Sequence, residues 1–378
     1  MRHNWKPFFA FHFTVLLLLG ITRVYATDYV AVDLNPGGYY YAVASGTSGG
    51  QQVGYGINPV GIAFDHAFLW NGSSQSIIDL HPMGFYFSEA FGTDGARQVG
   101  FACKSSTSGH EHALLWNGAA NNYVDLQPSG FTSTVAYGIC GSQQVGEGSG
   151  GSTSGNTHAL LWGDTAASRI DLNPNGFITS EAYATNGSQQ VGYGISTAPG
   201  SNCHALLWSG SATSYVDLNP AGFDFSRASG IGVSQQVGYG EVTDGYNHAL
   251  LWSGSASNYV DLNPSGFYHS WATAINGSLQ VGYGVKSEVL GNVPSYALLW
   301  TGTAESAVDL QQFLPSDFTS SVAESIDDQG NIAGYAVDSA GNIHAILWVP
   351  VPEPTTFVML GMGALSLLFI WWRKRAGK

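Results

Sequence analysis

Histidine and aspartate recur along this 378-residue chain in a pattern that would suit proton transfer or metal ligation. His66, His112, His158, His204, His248 and His344 each open a word of the type His-Ala-Leu-Leu-Trp, and Tyr296 takes that place in a further copy. Asp33, Asp79, Asp125, Asp171, Asp217, Asp261 and Asp309 each stand in Val-Asp-Leu or a close variant. A carboxylate beside an imidazole can orient it for general-base work, and both are metal ligands. The copying argues against either use. Residues repeated at near-equal intervals are spread around a molecule and cannot converge on one substrate. Tyr296 still donates a hydrogen bond but cannot stand in for a histidine ligand. The repeated residues are therefore read as structural, with no catalytic residue, metal site or cofactor expected among them.

The elements that would carry these residues follow from two more recurring words. Gln-Val-Gly-Tyr-Gly or a relative starts at Gln52, Gln98, Gln144, Gln190, Gln236 and Gln280, with a weaker copy at Asn331. Eight residues before each stand Ala44, Ala90, Ala136, Ala182, Ala228, Ala272 and Ala323, with a second small residue two positions on. Successive Asp residues are 46, 46, 46, 46, 44 and 48 apart, a period typical of propeller blades. The words lack the three-and-four apolar spacing of helical repeats. Each unit then has four strands: the small-residue strand, the Gln-Val-Gly strand, the His-Ala-Leu-Leu-Trp strand and the Val-Asp-Leu strand. Alternate small residues suit the strand crowded around an axis. The bare glycines of the second strand leave room for a bulky neighbour, and a tryptophan is the expected occupant.

The copies are out of phase with the chain. The first starts at a fourth strand, Tyr29 to Pro36, and the last stops after a third strand, His344 to Trp348. The N-terminal strand would complete the last blade and leave no open edge. The predicted fold is an all-β, seven-bladed β-propeller over residues 27–350, closed by that N-terminal strand. An open β-solenoid is the alternative. WD-repeat blades bury His, Asp and Trp in hydrogen-bonded networks, and the His and Asp here are expected to act similarly.

Function should sit where the symmetry breaks. The connections from second to third strand vary most, and with the fourth-to-first connections they would share one face, the expected ligand face. Candidate ligand-face residues are Glu89, Glu181, Arg227, Trp271 and Glu324, together with Glu147, which stands where six copies have Tyr or Phe. They read best as solvated rim residues. Glu89 and Glu181 would form an acid–base pair only if they faced each other at suitable separation. No nucleophile motif, phosphate loop or cofactor fingerprint is present.

Both ends carry targeting features. Arg2 and Lys6, an apolar run from Phe8 to Ile21 and Val24-Tyr25-Ala26 form a signal peptide over residues 1–26. A retained anchor is the alternative. At the other end, residues 351–378 hold Val351-Pro352-Glu353-Pro354, an uncharged apolar stretch from Phe357 to Trp372 and the basic cluster Arg373, Lys374 and Arg375. The cluster places that end in the cytoplasm. Sixteen apolar residues are short for a span, which usually takes about 20. A plain tail anchor is one reading.

The three-part tail resembles the PEP-CTERM sorting signal of Gram-negative bacteria. The resemblance implies recognition by an exosortase, a membrane protease, after passage through signal peptidase and the export machinery. The helix would be held only transiently in the inner membrane, and the product would finish at the cell surface or outside. Such proteins usually come from makers of exopolysaccharide. The words His-Ala-Phe-Leu-Trp and His-Ala-Ile-Leu-Trp also resemble the extracellular HAF repeat, which implies a location and no reaction.

Charge and cysteine complete the reading. Three basic residues (Arg2, Lys6, Arg23) precede the repeat region and four (Arg373, Lys374, Arg375, Lys378) follow it, so 5 of 12 remain; of 26 acidic residues only Glu353 lies outside. The repeat region's net charge is the difference of 5 and 25, or −20, which repels nucleic acid. Cys103, Cys140 and Cys203 allow at most one disulfide. The expectation is a non-enzymatic surface or matrix protein that binds exopolysaccharide or surface proteins. A polysaccharide-acting propeller enzyme, a lyase or glycosidase, is the alternative.

Overall fold

Each repeat folds as one antiparallel four-stranded sheet, and seven such sheets follow one another as the blades of a closed propeller. The structure is a computed structural model, which describes residues 28–351 except Tyr40, 58–63, 105–109, 199–201 and Asn292. The signal peptide and the sorting segment beyond Val351, with its apolar stretch, lie outside the described residues. Among the described residues no helix is long and apolar enough to cross a membrane.

Blade 4 is representative. Its strands are Phe177–Thr185, Gln190–Ser196, Cys203–Trp208 and Val216–Asp217, ordered from the axis outward as in the sequence. Blades 1 to 6 each use four consecutive strands. Blade 7 takes Phe318–Ile326, Ile332–Asp338 and Ile343–Pro350 from the C-terminal side and Tyr29–Asp33 from the N-terminal side. Tyr29 pairs with Pro350 and Asp33 with Ile346, so the ring is closed as the phase of the repeats predicts. Leu34, fully buried, clusters with Phe68 and Trp70 of blade 1 and Leu347 of blade 7, sealing the seam.

The axis is crowded, which accounts for the small residues. A methyl group on Gly46 would come within 2.7 Å of the Phe91 carbonyl oxygen in the next blade. Every first strand carries a register shift at this point, between Ala182 and Ala184 in blade 4. The shift explains the first glycine of Gln-Val-Gly. A Cβ on Gly238 would stand 2.0 Å from the Arg227 carbonyl oxygen. The second glycine makes room for a ring, but the ring is not tryptophan: Gly240 faces Phe223, the first residue of the innermost strand of its own blade, and Leu250.

The tryptophans instead fill the spaces between blades. Trp162 packs with Val99, Leu115 and Leu126 of blade 2, and all seven repeat tryptophans are at most 1 % exposed. Each indole removes roughly 150–250 Å² from water, which stabilises the ring by up to about 4–6 kcal/mol at 25 cal/mol per Å². Their Nε1 atoms find no acceptor, so apolar contact is what they contribute.

Polar pairs fix the spacing of the sheets. The backbone N–H of Ala205 donates to the Ser226 hydroxyl of the next blade at 3.0 Å, and Ser226 donates to Asn219 at 2.6 Å. Ser88, Thr134, Ser180, Ser270 and Ser321 accept in the same way. Blade 1 has Ala42 at this position, and Asn35 bridges directly to the Ala345 N–H across the seam. The repeated glutamine holds the outer turn: Gln190 Oε1 accepts from the Gly210 N–H at 2.8 Å.

Candidate functional site

The repeated His and Asp meet when neighbouring strands bring carboxylate and imidazole together, but they meet on the outside of six of the seven blades. His66, His112, His158, His204, His248 and His344 each place Nδ1 2.7–2.8 Å from Oδ2 of Asp79, Asp125, Asp171, Asp217, Asp261 and Asp33. The other carboxylate oxygen accepts the backbone N–H two residues on, as Asp217 does from Asn219. In blade 6, which lacks the histidine, Lys286 lies 3.8 Å from the centre of the Tyr296 ring and donates to Asp309 at 3.4 Å. A lysine on a tyrosine thus restores the partner that histidine supplies elsewhere. These pairs tie the third strand to the exit of the fourth.

The asymmetric residues face the axis instead. At one level, each first-strand residue is paired with one from the second strand: Val43 with Tyr55, Glu89 with Phe101, Val135 with Glu147 and Glu181 with Tyr193. Arg227 with Tyr239, Trp271 with Tyr283 and Val322 with Tyr335 complete the level. Five of the six candidates, Glu89, Glu147, Glu181, Arg227 and Trp271, lie here. Glu324 is two residues further along its strand than Val322, so it belongs to the level of the register shifts. Its counterparts there are Ser45, Phe91, Tyr137, Tyr183, Ser229 and Thr273.

All six candidates are half-buried, so the expectation of solvated rim residues is corrected. Strand alternation turns them inward, and the closed ring removes much of their water. Burial, with some contribution from Asp65, pushes the Glu89 carboxyl up to about 7. Burial and then the neighbouring Glu181 push Glu147 up to about 8. Glu324 rises to about 7 through burial alone. A carboxyl deprived of water keeps its proton to higher pH.

The carboxyl pairing also differs from the expectation. Glu181 is bound not to Glu89 but to Glu147, Tyr183 at 2.7 Å and Tyr193 at 2.5 Å. Tyr137 donates to Glu147 at 3.1 Å. On the other side of Tyr193, the Arg227 guanidinium lies 4.2 Å from the ring centre. Trp271 stacks on Tyr283 at 4.8 Å and on His269 at 5.8 Å.

A chamber of about 1070 Å³ runs along the axis. Phe91, Tyr137 and Tyr183 form one side; Ser229, Thr273, Glu324 and Ser45 form the other. The rest of the wall comes from inner strands and from first-to-second turns, including Asn186, Val233 and Asp328. Tyr41 of the connection into blade 1 and Ile343, which ends one of the variable second-to-third connections, also line it, so the expected ligand face contributes to the chamber, although most of the turns in its wall are those at the opposite end of the blades. Residues 58–63, 105–109, 199–201 and Asn292 of the second-to-third connections are not among the described residues.

Sequence reasoning missed three features. Tyr137 and Tyr183 were hidden because the register shift turns a residue inward that simple alternation does not place there. Asp65 lies at the start of a strand beside a variable connection. The interblade hydroxyl latch did have a signal: Ser or Thr stands two residues before the small-residue Ala in six copies. No disulfide joins Cys103, Cys140 and Cys203.

Sheet order, closure and axial chamber define the class: a closed seven-bladed β-propeller. The chain also carries the PEP-CTERM protein-sorting motif, matched over residues 350–375. Within it, Val351 is exposed and donates its N–H to the Asp28 carbonyl at 2.9 Å, while Pro352, Glu353, Pro354, Arg373, Lys374 and Arg375 lie outside the described residues. No curated protein matches the chain as a whole.

Solved structures with the same fold include the β-propeller domain of the Trilobed protease from Pyrococcus furiosus. It is 9 % identical with a TM-score of 0.52, over 82 % of this chain and 95 % of that one. That domain is described as having an open velcro topology, whereas here Tyr29–Asp33 closes the ring. An oligogalacturonate lyase in complex with manganese is 13 % identical, with a TM-score of 0.52 over 85 % of this chain and 91 % of that one. Puromycin hydrolase, as an S511A mutant complexed with PGG, is 10 % identical, with a TM-score of 0.50 over 84 % of this chain and 55 % of that one. At these identities the likeness is one of fold.

Proposed function

We propose that this is an exported protein, recognised at its C-terminus by an exosortase, whose propeller binds a glycan or protein at the cell surface or in the extracellular polymer. The sorting-motif match carries the export half of the reading. Signal peptidase would act after Ala26, the inner membrane would hold the tail transiently, and Pro352-Glu353-Pro354 would be the processing signal. The resemblance of the repeated words to the HAF repeat would agree with that destination. A chamber that combines aromatic walls, free hydroxyls and carboxyls supports the binding half.

The hydrogen-bonded Glu147–Glu181 pair beside Tyr137 is the observation that favours a polysaccharide lyase or glycosidase as a second reading. Glycosidase carboxyls stand roughly 5–9.5 Å apart with the sugar between them, whereas Glu147 and Glu181 are turned to each other and to Tyr137, Tyr183 and Tyr193, so binding is the better reading.

Glu353→Ala tests the export half. Glu353 lies outside the apolar stretch, so membrane insertion should be unchanged while processing stops. Identical, uncleaved membrane-bound protein for parent and variant in a host with exosortase would leave an ordinary tail anchor. A panel of polysaccharides and surface proteins, scored for binding and for depolymerisation, separates scaffold from enzyme.

A further inference from the structure

We infer that the axial chamber receives the ammonium group of an amino sugar, with Glu324 as its counter-ion. The inference rests on the glycan-binding reading and names the sugar class for that site.

Glu324 stands on the innermost strand of blade 7 and lines the chamber, so the exposed part of this half-buried side chain faces the chamber space. It makes no hydrogen bond or ion pair with any described residue, and burial alone sets its proton affinity. Natural chains rarely leave an inward carboxyl unpaired, because its desolvation is then uncompensated. A bound cation would supply the missing partner. Tyr55, Tyr283 and Tyr335 are the ionisable groups near enough to feel its charge. Of these, Tyr55 and Tyr335 line the chamber with Glu324, and phenolic rings around a carboxylate suit an organic ammonium.

The surrounding charge agrees in sign. Asp327 and Asp328 also line the chamber, against one basic residue, Arg227, which is committed to Tyr193 in blade 4. Asp327 is already occupied, accepting from Gln329 and Asn331, and Asp328 is exposed to water, which leaves Glu324 as the half-buried carboxyl available as a counter-ion. An anionic sugar would meet this acidic lining and the net negative repeat region.

A sugar is favoured over a bare ion by the other groups present. Among the described residues no three His, Cys, Asp or Glu are grouped to hold a metal. Ser45 and Ser229 line the same side and spend their hydroxyls on no described residue. They are suited to sugar hydroxyls, and the opposite wall of Phe91, Tyr137 and Tyr183 is suited to the apolar face of a pyranose. The chamber, about 1070 Å³, has room for more than one sugar ring.

The test uses the full chain in detergent at pH 7, titrated with a glucosamine tetramer and with its N-acetylated counterpart. The expected result is about tenfold tighter binding of the free-amine tetramer, the factor carried by about 1.4 kcal/mol. Glu324→Gln keeps the shape and should erase that preference without lowering the melting temperature. Ser45→Ala should weaken both tetramers while the parent's preference persists. Equal affinity of the parent for the two tetramers overturns the inference but leaves a glycan-binding propeller standing. An undiminished preference in Glu324→Gln also overturns it. Binding of neither tetramer overturns it and counts against the glycan reading as well. Stronger binding of a lysine-rich peptide than of either tetramer would replace the amino sugar with a protein ligand.

Discussion

The outside of the blades and the lining of the axis are built from the same repeats yet follow opposite rules. Outside, His204 and Asp217 are copied with little change, and where histidine is absent Lys286 on Tyr296 keeps the contact. At the axis, the position held by Val43 in blade 1 becomes Glu89, Val135, Glu181, Arg227, Trp271 and Val322 in the blades that follow. Sevenfold copying suits an interaction that every blade needs, such as tying two strands together. A ligand sees all seven blades at once, so its site requires the blades to differ.

The largest expected effect comes from breaking what all blades share. Deleting Tyr29 to Pro36 removes five strand pairings, the buried Leu34 and the Asn35 bridge from blade 7. The exposed strand edge should bring aggregation and loss of cooperative melting. A truncated protein that melts like the parent and stays monomeric would contradict ring closure as a source of stability.

A smaller loss is expected at one interblade space. Trp208→Ala empties a site that is fully buried and should cost about 3–5 kcal/mol in denaturant unfolding, as large-to-small core changes do. A loss below about 1 kcal/mol would mean that the blades collapse into the gap.

The axis should show itself through pH. Glu89, Glu147 and Glu324 hold their protons more tightly in the folded chain than carboxyls do when unfolded. Folding is therefore favoured while these groups remain protonated. Their contribution falls as pH rises from the unfolded carboxylate value through about 7 to 8. Glu147→Gln should melt higher than the parent at pH 8, with the difference gone near pH 4. A difference independent of pH would show that the carboxyl is not held in its protonated form by the fold.

The outer pairs should matter least. The Asp217 hydrogen bond raises the affinity of His204 for its proton, so this contribution is full below the unfolded histidine value near 6.5 and fades as pH rises through the higher folded value. The pair is more than one-third exposed, and water screens it. His204→Ala should cost no more than about 1 kcal/mol, read by denaturant unfolding at pH 5.5 and again at pH 8.5. A much larger cost would move this pair from spacer to keystone.

The contrast also explains what the sequence could disclose. Blade number, strand order and closure were legible because period and phase survive in words as constant as His-Ala-Leu-Leu-Trp. The asymmetric positions were legible as departures from those words, and Glu147 stood out among Tyr and Phe. Their burial was not legible, since it depends on how closely seven strands approach one another. The register shift after Ala323 puts Glu324 below its apparent counterparts and brings Tyr137 and Tyr183 inward, a backbone effect with no residue signature. Tryptophan could be recognised as core, but only packing shows that Trp162 fills the space next to blade 2 while Phe223 covers Gly240.

The most direct test sets the two regions against each other in one binding experiment. The parent, a channel variant carrying Glu147→Gln and Glu324→Gln, and an outer variant carrying His204→Ala and His248→Ala are applied to the same polysaccharide and surface-protein panel at matched folded concentration. The expected result is loss of the parent's ligand by the channel variant and retention by the outer variant. Retention by the channel variant with loss by the outer one would place function in the repeated pairs and contradict the division between shape and binding.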